Sequence, residues 1–261
     1  MIDRQGADLV AAWLVRHGVE IRTGATLTAV EPVNGQRRLR FREGADLDAD
    51  VVIMATGIRT NLEWIKGSGI RVSRGVVVDD HLRSSVPNVY AAGDVAEGRD
   101  LVTGAPDVHA IEPTAMEHGR VVGANMAGRA VAYRGSLLMN IVDVCHLDVA
   151  SFGQWDDPKA EVVTAVRPDR PAYRKLLWHD DRLTGAMILG PAADIWTTND
   201  VGMLKGLVQS GVRLGAWKER LRTNPFDVKS AFIASRTTAR LLPETVLGRP
   251  SPSPGLVPSH L

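Results

Sequence analysis

Several features that mark large classes of protein are missing from this sequence. Its 261 residues contain one cysteine, Cys145, which excludes an internal disulfide, a CxxC redox pair and a cysteine-rich metal site. Lys and Arg number 31 against 30 Asp and Glu, so a net charge of +1 offers no basis for attracting nucleic acid or an anionic membrane. No apolar run approaches the roughly 20 residues of a membrane span, and the first residues lack the order of a signal peptide. We therefore expect a cytoplasmic protein with no membrane span and no nucleic-acid partner.

Metal-binding patterns are also absent. The seven histidines are scattered, with neither an HExxH motif nor a pair four residues apart, so we expect no metal site. What is present is a hydrophobic fraction of 44% and an aromatic fraction of 5%, which are ordinary for a globular protein. The length allows one large domain or two smaller ones.

The N-terminal part alternates between helical and extended patterns. Apolar residues four apart predict a helix over 7–17, which Gly18 would end, and a short strand over 19–24. Period-two alternation then predicts a hairpin turning at Asn34–Gly35. Residues 48–57, DADVVIMATG, form a nearly continuous apolar run, which predicts a strand buried on both faces.

In the middle of the chain, residues 86–95 read VPNVYAAGDV and place a glycine and a carboxylate where a strand should end. Gly93 would let a ligand approach the backbone, and Asp94 would accept hydrogen bonds from ligand hydroxyls. For the dipeptide alone, a turn glycine with an Asx cap is the better explanation, so the neighbouring residues have to decide. Pro113 is suited to the first turn of a following helix. That helix would carry a face of small residues, which either a ligand or tight packing could use: Ala115, Gly119 and Gly123.

The C-terminal part has a different architecture. Four segments between 140 and 190 predict antiparallel strands, with a turn at 179–182. Residues 196–210 and 226–241 predict two helices, so this part should be an α+β domain. The Pro/Ser-rich end, 248–261, is typical of a disordered tail.

Three side chains between these patterns have simple interpretations. His109 is expected in a solvated loop and His118 on the surface of its helix. Cys145 is expected to be a small core residue of a strand.

Taken in order, the segments resemble the C-terminal part of the FAD-dependent pyridine nucleotide-disulphide oxidoreductase family, in its nitrite-reductase-like and rubredoxin-reductase-like NAD(P)H oxidoreductase branch. The segment DADVVIMATGIRTN, with Thr56 and Gly57, resembles the strand that returns from the NAD domain. The segment SSVPNVYAAGDV, with Gly93 and Asp94, resembles the second FAD motif. The resemblance implies that Asp94 holds a ribityl hydroxyl of FAD.

The resemblance extends to the helix that starts in IEPTAMEHGR. In the family, the N-terminus of this helix points at the pyrimidine edge of the flavin and stabilises negative charge there. The corresponding residues here are Glu112, Pro113, Thr114 and Ala115. Glu112 departs from the small or neutral residue of the family, and a carboxylate beside a reduced flavin is unfavourable unless it points away.

The family implies an α/β chain with an incomplete two-dinucleotide-binding, Rossmann-like fold and an α+β C-terminal interface domain. Residues 1–57 would be the end of the NAD(P)-binding domain, 58–135 the end of the FAD-binding domain and 136–247 the dimerisation domain. The cofactors would be FAD and NAD(P)H.

Neither of the family's two GxGxxG loops occurs in this sequence, although each binds a pyrophosphate on helix amides. A truncated reading frame, a subunit whose other half is a separate polypeptide, and a remnant without catalysis would each explain this. The expected function is therefore part of an oxidoreductase that passes hydride from NAD(P)H to FAD and electrons to an acceptor. The alternative is a non-catalytic scaffold or interaction subunit, and the partner would be an N-terminal-half chain or a second copy. The sequence identifies no acceptor and no catalytic acid, base or nucleophile.

Overall fold

The structure, a computed structural model, describes residues 2–167 and 170–241, without the side chains of residues 195 and 196. The predicted tail at 248–261 lies outside these residues. The chain divides into two compact units, one made of Met1–Val10 and Thr60–Leu261 and the other of Ala11–Arg59. None of the helices in the described ranges has the length and apolarity that crossing a membrane requires.

The smaller unit is built around an antiparallel hairpin. Strands β1 (Leu27–Val33) and β2 (Gln36–Phe41) pair in register, and β3 (Leu47–Ala49) adds a short third strand beside β2. Asn34 and Gly35 have φ of 48° and 84°, which matches the two-residue turn that suits the twist of a hairpin. The predicted hairpin is confirmed.

Two predicted strands of this unit are wrong. Residues 19–24 have no strand, and the apolar run 48–57 is extended only as far as Ala49. Ile53 and Met54 are 85% and 81% exposed, where burial on both faces was expected. A strand of a parallel sheet needs neighbours that satisfy its backbone N–H and C=O groups, and no strand of the described residues pairs with residues 50–59.

Helix α1 (Arg4–Arg16) ends as predicted, since Gly18 adopts φ 80°. It begins three residues earlier than the apolar spacing indicated, because Asp3 supports its first turn. One oxygen of Asp3 accepts the N–H of Gly6 at 2.9 Å. The other accepts the hydroxyl of Tyr173 at 2.8 Å and lies 3.1 Å from Nζ of Lys175.

Replacing Asp3 by asparagine should make the protein less stable at neutral pH. It should also make the stability fall less as the pH is lowered. Burial would raise the pKa of Asp3, but the bonds from Gly6, Tyr173 and Lys175 outweigh it and hold the pKa below its ordinary 3.8. The stabilisation is therefore complete above pH 3.8 and is lost as the pH falls through the lower pKa of the folded protein. We expect Asp3→Asn to cost roughly 1 kcal/mol at pH 7 and much less at pH 2, measured by urea denaturation. Equal costs at both pH values would contradict this assignment.

In the larger unit, residues 60–135 form short elements around a small apolar cluster. A 3-10 helix covers Glu63–Ile65, and β4 (Val76–Val77) pairs in parallel with β5 (Ala96–Arg99). Strand β6 (Pro106–Asp107) pairs with β5, and the predicted helix is present as α2 (Glu112–Met126). The cluster beneath them consists of Ile65, Val76, Ala91 and Ala96.

The C-terminal region is the α+β structure that the sequence predicted. Its antiparallel sheet has the order β7-β8-β11-β10-β9, with a turn at Asp180–Asp181. The strands are β7 (Met139–Val144), β8 (Leu147–Gly153), β9 (Glu161–Arg167), β10 (Ala172–His179) and β11 (Arg182–Pro191). Helix α3 (Ile195–Ser210) packs Leu204, Leu207 and Val208 into the main core with this sheet.

The second C-terminal helix was predicted as one element and is two. Helix α5 (Val228–Ala234) stops where Arg236 takes φ 52°, and α6 (Thr237–Leu241) follows. A further helix, α4 (Ala216–Thr223), was missed because its mostly polar sequence buries only Leu221. Cys145 was also misplaced: it is exposed in the β7–β8 turn, where Cys145 and His146 have φ of 50° and 65°.

Candidate functional site

The Gly93–Asp94 pair lies in a tight turn at the end of an extended segment. Ala92 is extended, and a 3-10 helix then covers Gly93–Val95. Gly93 has φ 72° and is buried, and a Cβ placed on it would lie 3.3 Å from Cβ of Ala115. A side chain at position 93 would therefore be both strained and crowded. The carboxylate of Asp94 is exposed, and within the described residues it has no hydrogen bond or ion pair.

Helix α2 begins beside this turn with an N-terminus that no side chain caps. Ile111 is extended, Glu112 is the first helical residue, and Pro113 has no N–H to leave unpaired. Glu112 and Pro113 are exposed, whereas the side chain of Thr114 is buried. The free amides of a first helical turn carry partial positive charge, which suits a ligand oxygen. The carboxylate of Glu112 is favourable for the same helix end.

His118 is buried, contrary to the surface position expected for it. It is 2% exposed, and its Nδ1 accepts the backbone N–H of Gly93 at 3.2 Å. Its Nε2 lies 3.2 Å from Oγ of Ser136, and its ring meets Tyr133 edge-on with centroids 4.7 Å apart. Burial, and then the charge of His109, lower the pKa of His118 to about 4, so the ring is neutral at pH 7.

The sequence did contain a signal for this burial. Thr114, His118 and Asn125 are spaced four and seven residues apart, so they share one face of α2, and all three are buried. A face of polar residues does not register as a core face when only apolar residues are counted. The opposite face contains Met116, Gly119 and Gly123, which are exposed.

His109 is also buried, contrary to the solvated loop position expected for it. Its Nε2 lies 3.2 Å from Oδ2 of Asp100, and both side chains are almost fully enclosed. The other oxygen of Asp100 accepts the backbone N–H groups of Val102 and Thr103 at 3.0 and 2.7 Å. Burial would raise the pKa of Asp100, but the adjacent His109 ring and the hydrogen bonds from Thr103 outweigh it and lower the pKa. A buried carboxylate with these partners holds the loop that precedes α2.

The larger unit thus brings together Gly93, Asp94 and the α2 start, with Gly93 directly against Ala115. Thr56 and Gly57 belong to the smaller unit, where both are exposed and Gly57 has φ 98°. An exposed carboxylate acceptor beside uncapped helix amides fits the hydroxyls and carbonyl oxygens of a flavin nucleotide. No group of three His, Cys, Asp or Glu side chains in residues 2–167 and 170–241 is arranged to hold a metal ion.

Comparison with known proteins identifies a matching family and individual relatives. The model of the pyridine nucleotide-disulphide oxidoreductase family matches residues 1–110. The NADH-dependent phenylglyoxylate dehydrogenase subunit epsilon of Aromatoleum evansii is 29% identical over 87% of this chain and 53% of its own length. The nitrite reductase [NAD(P)H] of Bacillus subtilis is 29% identical over 80% of this chain and 28% of its own length.

Solved structures share the fold over almost the whole chain. The NAD-dependent persulfide reductase from A. fulgidus superposes with a TM-score of 0.74 at 25% identity, covering 92% of this chain and 48% of that one. This chain therefore spans about half the length, or less, of these relatives. FAD and NAD(P)H are the cofactors of the family. The resemblance of this chain to the pyridine nucleotide-disulphide oxidoreductase family, found in the sequence, is thereby confirmed.

Proposed function

We propose that this chain is part of an FAD-dependent NAD(P)H oxidoreductase and that it supplies one wall of the flavin site. The observation that carries the proposal is the packing of the Gly93–Asp94 turn against the start of α2. It sets an exposed carboxylate beside a helix N-terminus that no side chain caps. When bound, FAD would supply the chemistry, accepting hydride from NAD(P)H and releasing electrons to an acceptor.

The roles of the residues follow from their hydrogen-bonding capacity. Asp94 would accept hydrogen bonds from the ribityl chain, and Gly93 would allow the close backbone approach. Thr114 has a buried side chain, so its contribution would be a backbone N–H in the first turn of α2. Glu112 and Pro113 precede Thr114 in the first turn of α2, and Ala115 packs against Gly93 in the turn. Thr56 and Gly57 are proposed for the nicotinamide side of the same protein.

Replacing Asp94 by alanine should weaken FAD binding by tenfold or more. A hydrogen bond to a charged group contributes about 1.5–3 kcal/mol, which corresponds to roughly 10- to 150-fold in affinity. The measurement is a titration of the protein, isolated from its host with any copurifying chain, with FAD and fluorescence as the signal. The affinity of Asp94→Asn for FAD should lie between those of wild type and Asp94→Ala, because the amide oxygen of asparagine still accepts a hydrogen bond.

Asp156→Ala is the matched control for this experiment. Asp156 is likewise exposed, and it lies in the loop between β8 and β9, outside the proposed flavin site. Its replacement should leave the affinity for FAD unchanged. Equal affinities for Asp94→Ala and Asp156→Ala would rule out the proposed role of Asp94.

A second candidate function, a non-catalytic interaction subunit, is favoured by apolar residues that face solvent. In the smaller unit Val51, Ile53, Met54 and Ile58 are between 71% and 85% exposed, and such a run is typical of a surface that another chain covers. The two functions are distinguished by an absorption spectrum of the protein purified from its host without added cofactor, with mass analysis of what copurifies. Flavin absorbance together with a second polypeptide supports the oxidoreductase. A second polypeptide without flavin supports the interaction subunit.

The finer organisation belongs to the same proposal. We assign residues 1–57 and 58–135 to the ends of the NAD(P)- and FAD-binding domains, and 136–247 to an interface domain. A partner chain would contribute the GxGxxG loops, with a homodimer as the alternative assembly. The reducing cytoplasm is the proposed location, because Cys145 has no second cysteine in this chain to pair with.

A further inference from the structure

We propose that His118 is a positioning residue for the flavin turn: its neutral ring holds the Gly93 amide and thereby sets the direction of the Asp94 carboxylate. This inference rests on the proposed function for its consequence, FAD binding. Its structural part, the bond between His118 and Gly93, can be tested without the cofactor.

The hydrogen bonds around His118 fix the position of its proton. The N–H of Gly93 can only donate, so Nδ1 of His118 must be the acceptor and the proton must be on Nε2. Nε2 then donates to Oγ of Ser136. The hydroxyl of Ser136 lies 3.2 Å from that of Tyr133, which donates to Oε2 of Glu117 at 3.1 Å. Since a carboxylate only accepts, each group in this series of hydrogen bonds donates to the next, in the order Gly93, His118, Ser136, Tyr133 and Glu117.

Ser136, the group that follows His118 in this series of hydrogen bonds, is anchored through its backbone. The backbone N–H of Ser136 donates to the carbonyl of Arg99 at 2.9 Å, and its carbonyl accepts the N–H of Leu101 at 2.8 Å. Burial raises the pKa of Tyr133, so its hydroxyl keeps the proton that it donates. The tautomer of His118 is therefore set by Ser136, whose backbone is bonded to Arg99 and Leu101.

Among the described residues, the N–H of Gly93 is bonded to His118 alone and the carbonyl of Gly93 accepts the backbone N–H of Ala96. Gly93 has φ 72°, which a glycine adopts readily along with other conformations. Asp94 follows directly and has no hydrogen bond of its own within the described residues. The direction of its carboxylate thus depends on a turn that His118 holds at the N–H of Gly93 and Ala96 holds at the carbonyl of Gly93.

Two variants separate the hydrogen bond from the volume of the ring. His118→Phe keeps a planar ring and removes the acceptor. His118→Asn keeps an acceptor atom at the position of Nδ1, one bond beyond Cγ. The helix propensities of His, Phe and Asn are similar, so α2 should be affected equally by both changes.

The first readout is hydrogen exchange of the Gly93 amide in wild type and both variants. We expect about tenfold faster exchange in His118→Phe and near-native exchange in His118→Asn, the factor that one buried hydrogen bond supplies. Amides of the β10–β11 hairpin serve as the internal control for global unfolding. Unchanged exchange at Gly93 in His118→Phe would overturn the proposal, as would a wild-type His118 whose ¹⁵N spectrum shows the proton on Nδ1. The ¹⁵N spectrum needs no variant, so it decides the matter even where His118→Phe fails to fold.

The second readout is the affinity for FAD, measured on the same proteins as isolated from the host. We expect a loss of about tenfold in His118→Phe and a smaller loss in His118→Asn. If Gly93 exchange rises but the affinity for FAD is the same in all three proteins, His118 does not position the flavin turn and the proposal is wrong. If wild type binds no FAD while the exchange rate of the Gly93 amide still depends on His118, the proposed function is wrong. The hydrogen bond between His118 and Gly93 is then still supported.

Discussion

Replacing Asp200 by leucine is expected to lower the free energy of unfolding by about 3–5 kcal/mol, because it leaves a buried charge without its partner. Arg174 lies in β10 and is 2% exposed. It donates to Oδ2 of Asp200 at 3.0 Å and to the carbonyls of Tyr173 and Leu189 at 3.0 Å each. Burial lowers the pKa of Arg174 and raises that of Asp200, so each charge depends on the other. Urea denaturation at pH 7 measures the loss.

Two control variants test the cause. The double variant Arg174→Met/Asp200→Leu removes both charges and should be clearly more stable than Asp200→Leu, since apolar replacement of a buried pair is often neutral. Asp8→Ala removes a partner of the exposed Arg4–Asp8 pair and should change stability by no more than about 0.5 kcal/mol. A double variant as unstable as Asp200→Leu would show that the buried charge is not responsible.

Gly153→Ala, at the end of β8, is also expected to lower the free energy of unfolding strongly. Gly153 has φ 59°, and a Cβ there would lie 2.2 Å from the carbonyl oxygen of Thr184 and 2.9 Å from a methyl of Val208. The carbonyl belongs to the backbone of the paired strand β11, so it cannot move away without breaking the sheet. A left-handed conformation costs an alanine about 1–2 kcal/mol and the overlap about 1–3 kcal/mol more, which together predict about 2–5 kcal/mol.

Gly211→Ala separates these two contributions. Gly211 has almost the same backbone conformation, with φ 57°, but nothing lies within 4 Å of a Cβ there. It should therefore cost only the conformational penalty, about 1–2 kcal/mol. Both variants are compared with wild type in one urea series, and equal losses would refute a role for the contact with Thr184.

Local patterns predicted the elements whose stabilising contacts lie close in sequence. The β1–β2 hairpin follows from alternation and from a turn at Asn34–Gly35 that needs positive φ. Helix α2 follows from Pro113 and its spacing, and the C-terminal sheet from successive alternating strands. The apolar run 48–57 was predicted incorrectly, because a buried strand requires partners and no strand of the described residues pairs with it.

Some features of the candidate site were likewise predictable from the sequence, and others were not. The sequence by itself determined the resemblance to the family and the Gly93–Asp94 motif, because these depend on residue identities along a short stretch of chain. Only the tertiary structure decided that His118 and His109 are buried, and that His118 accepts the Gly93 amide. Burial and hydrogen bonding across 25 residues depend on how separate elements pack. The charge and tautomer of a histidine are set by those neighbours, and its position in the sequence does not specify them.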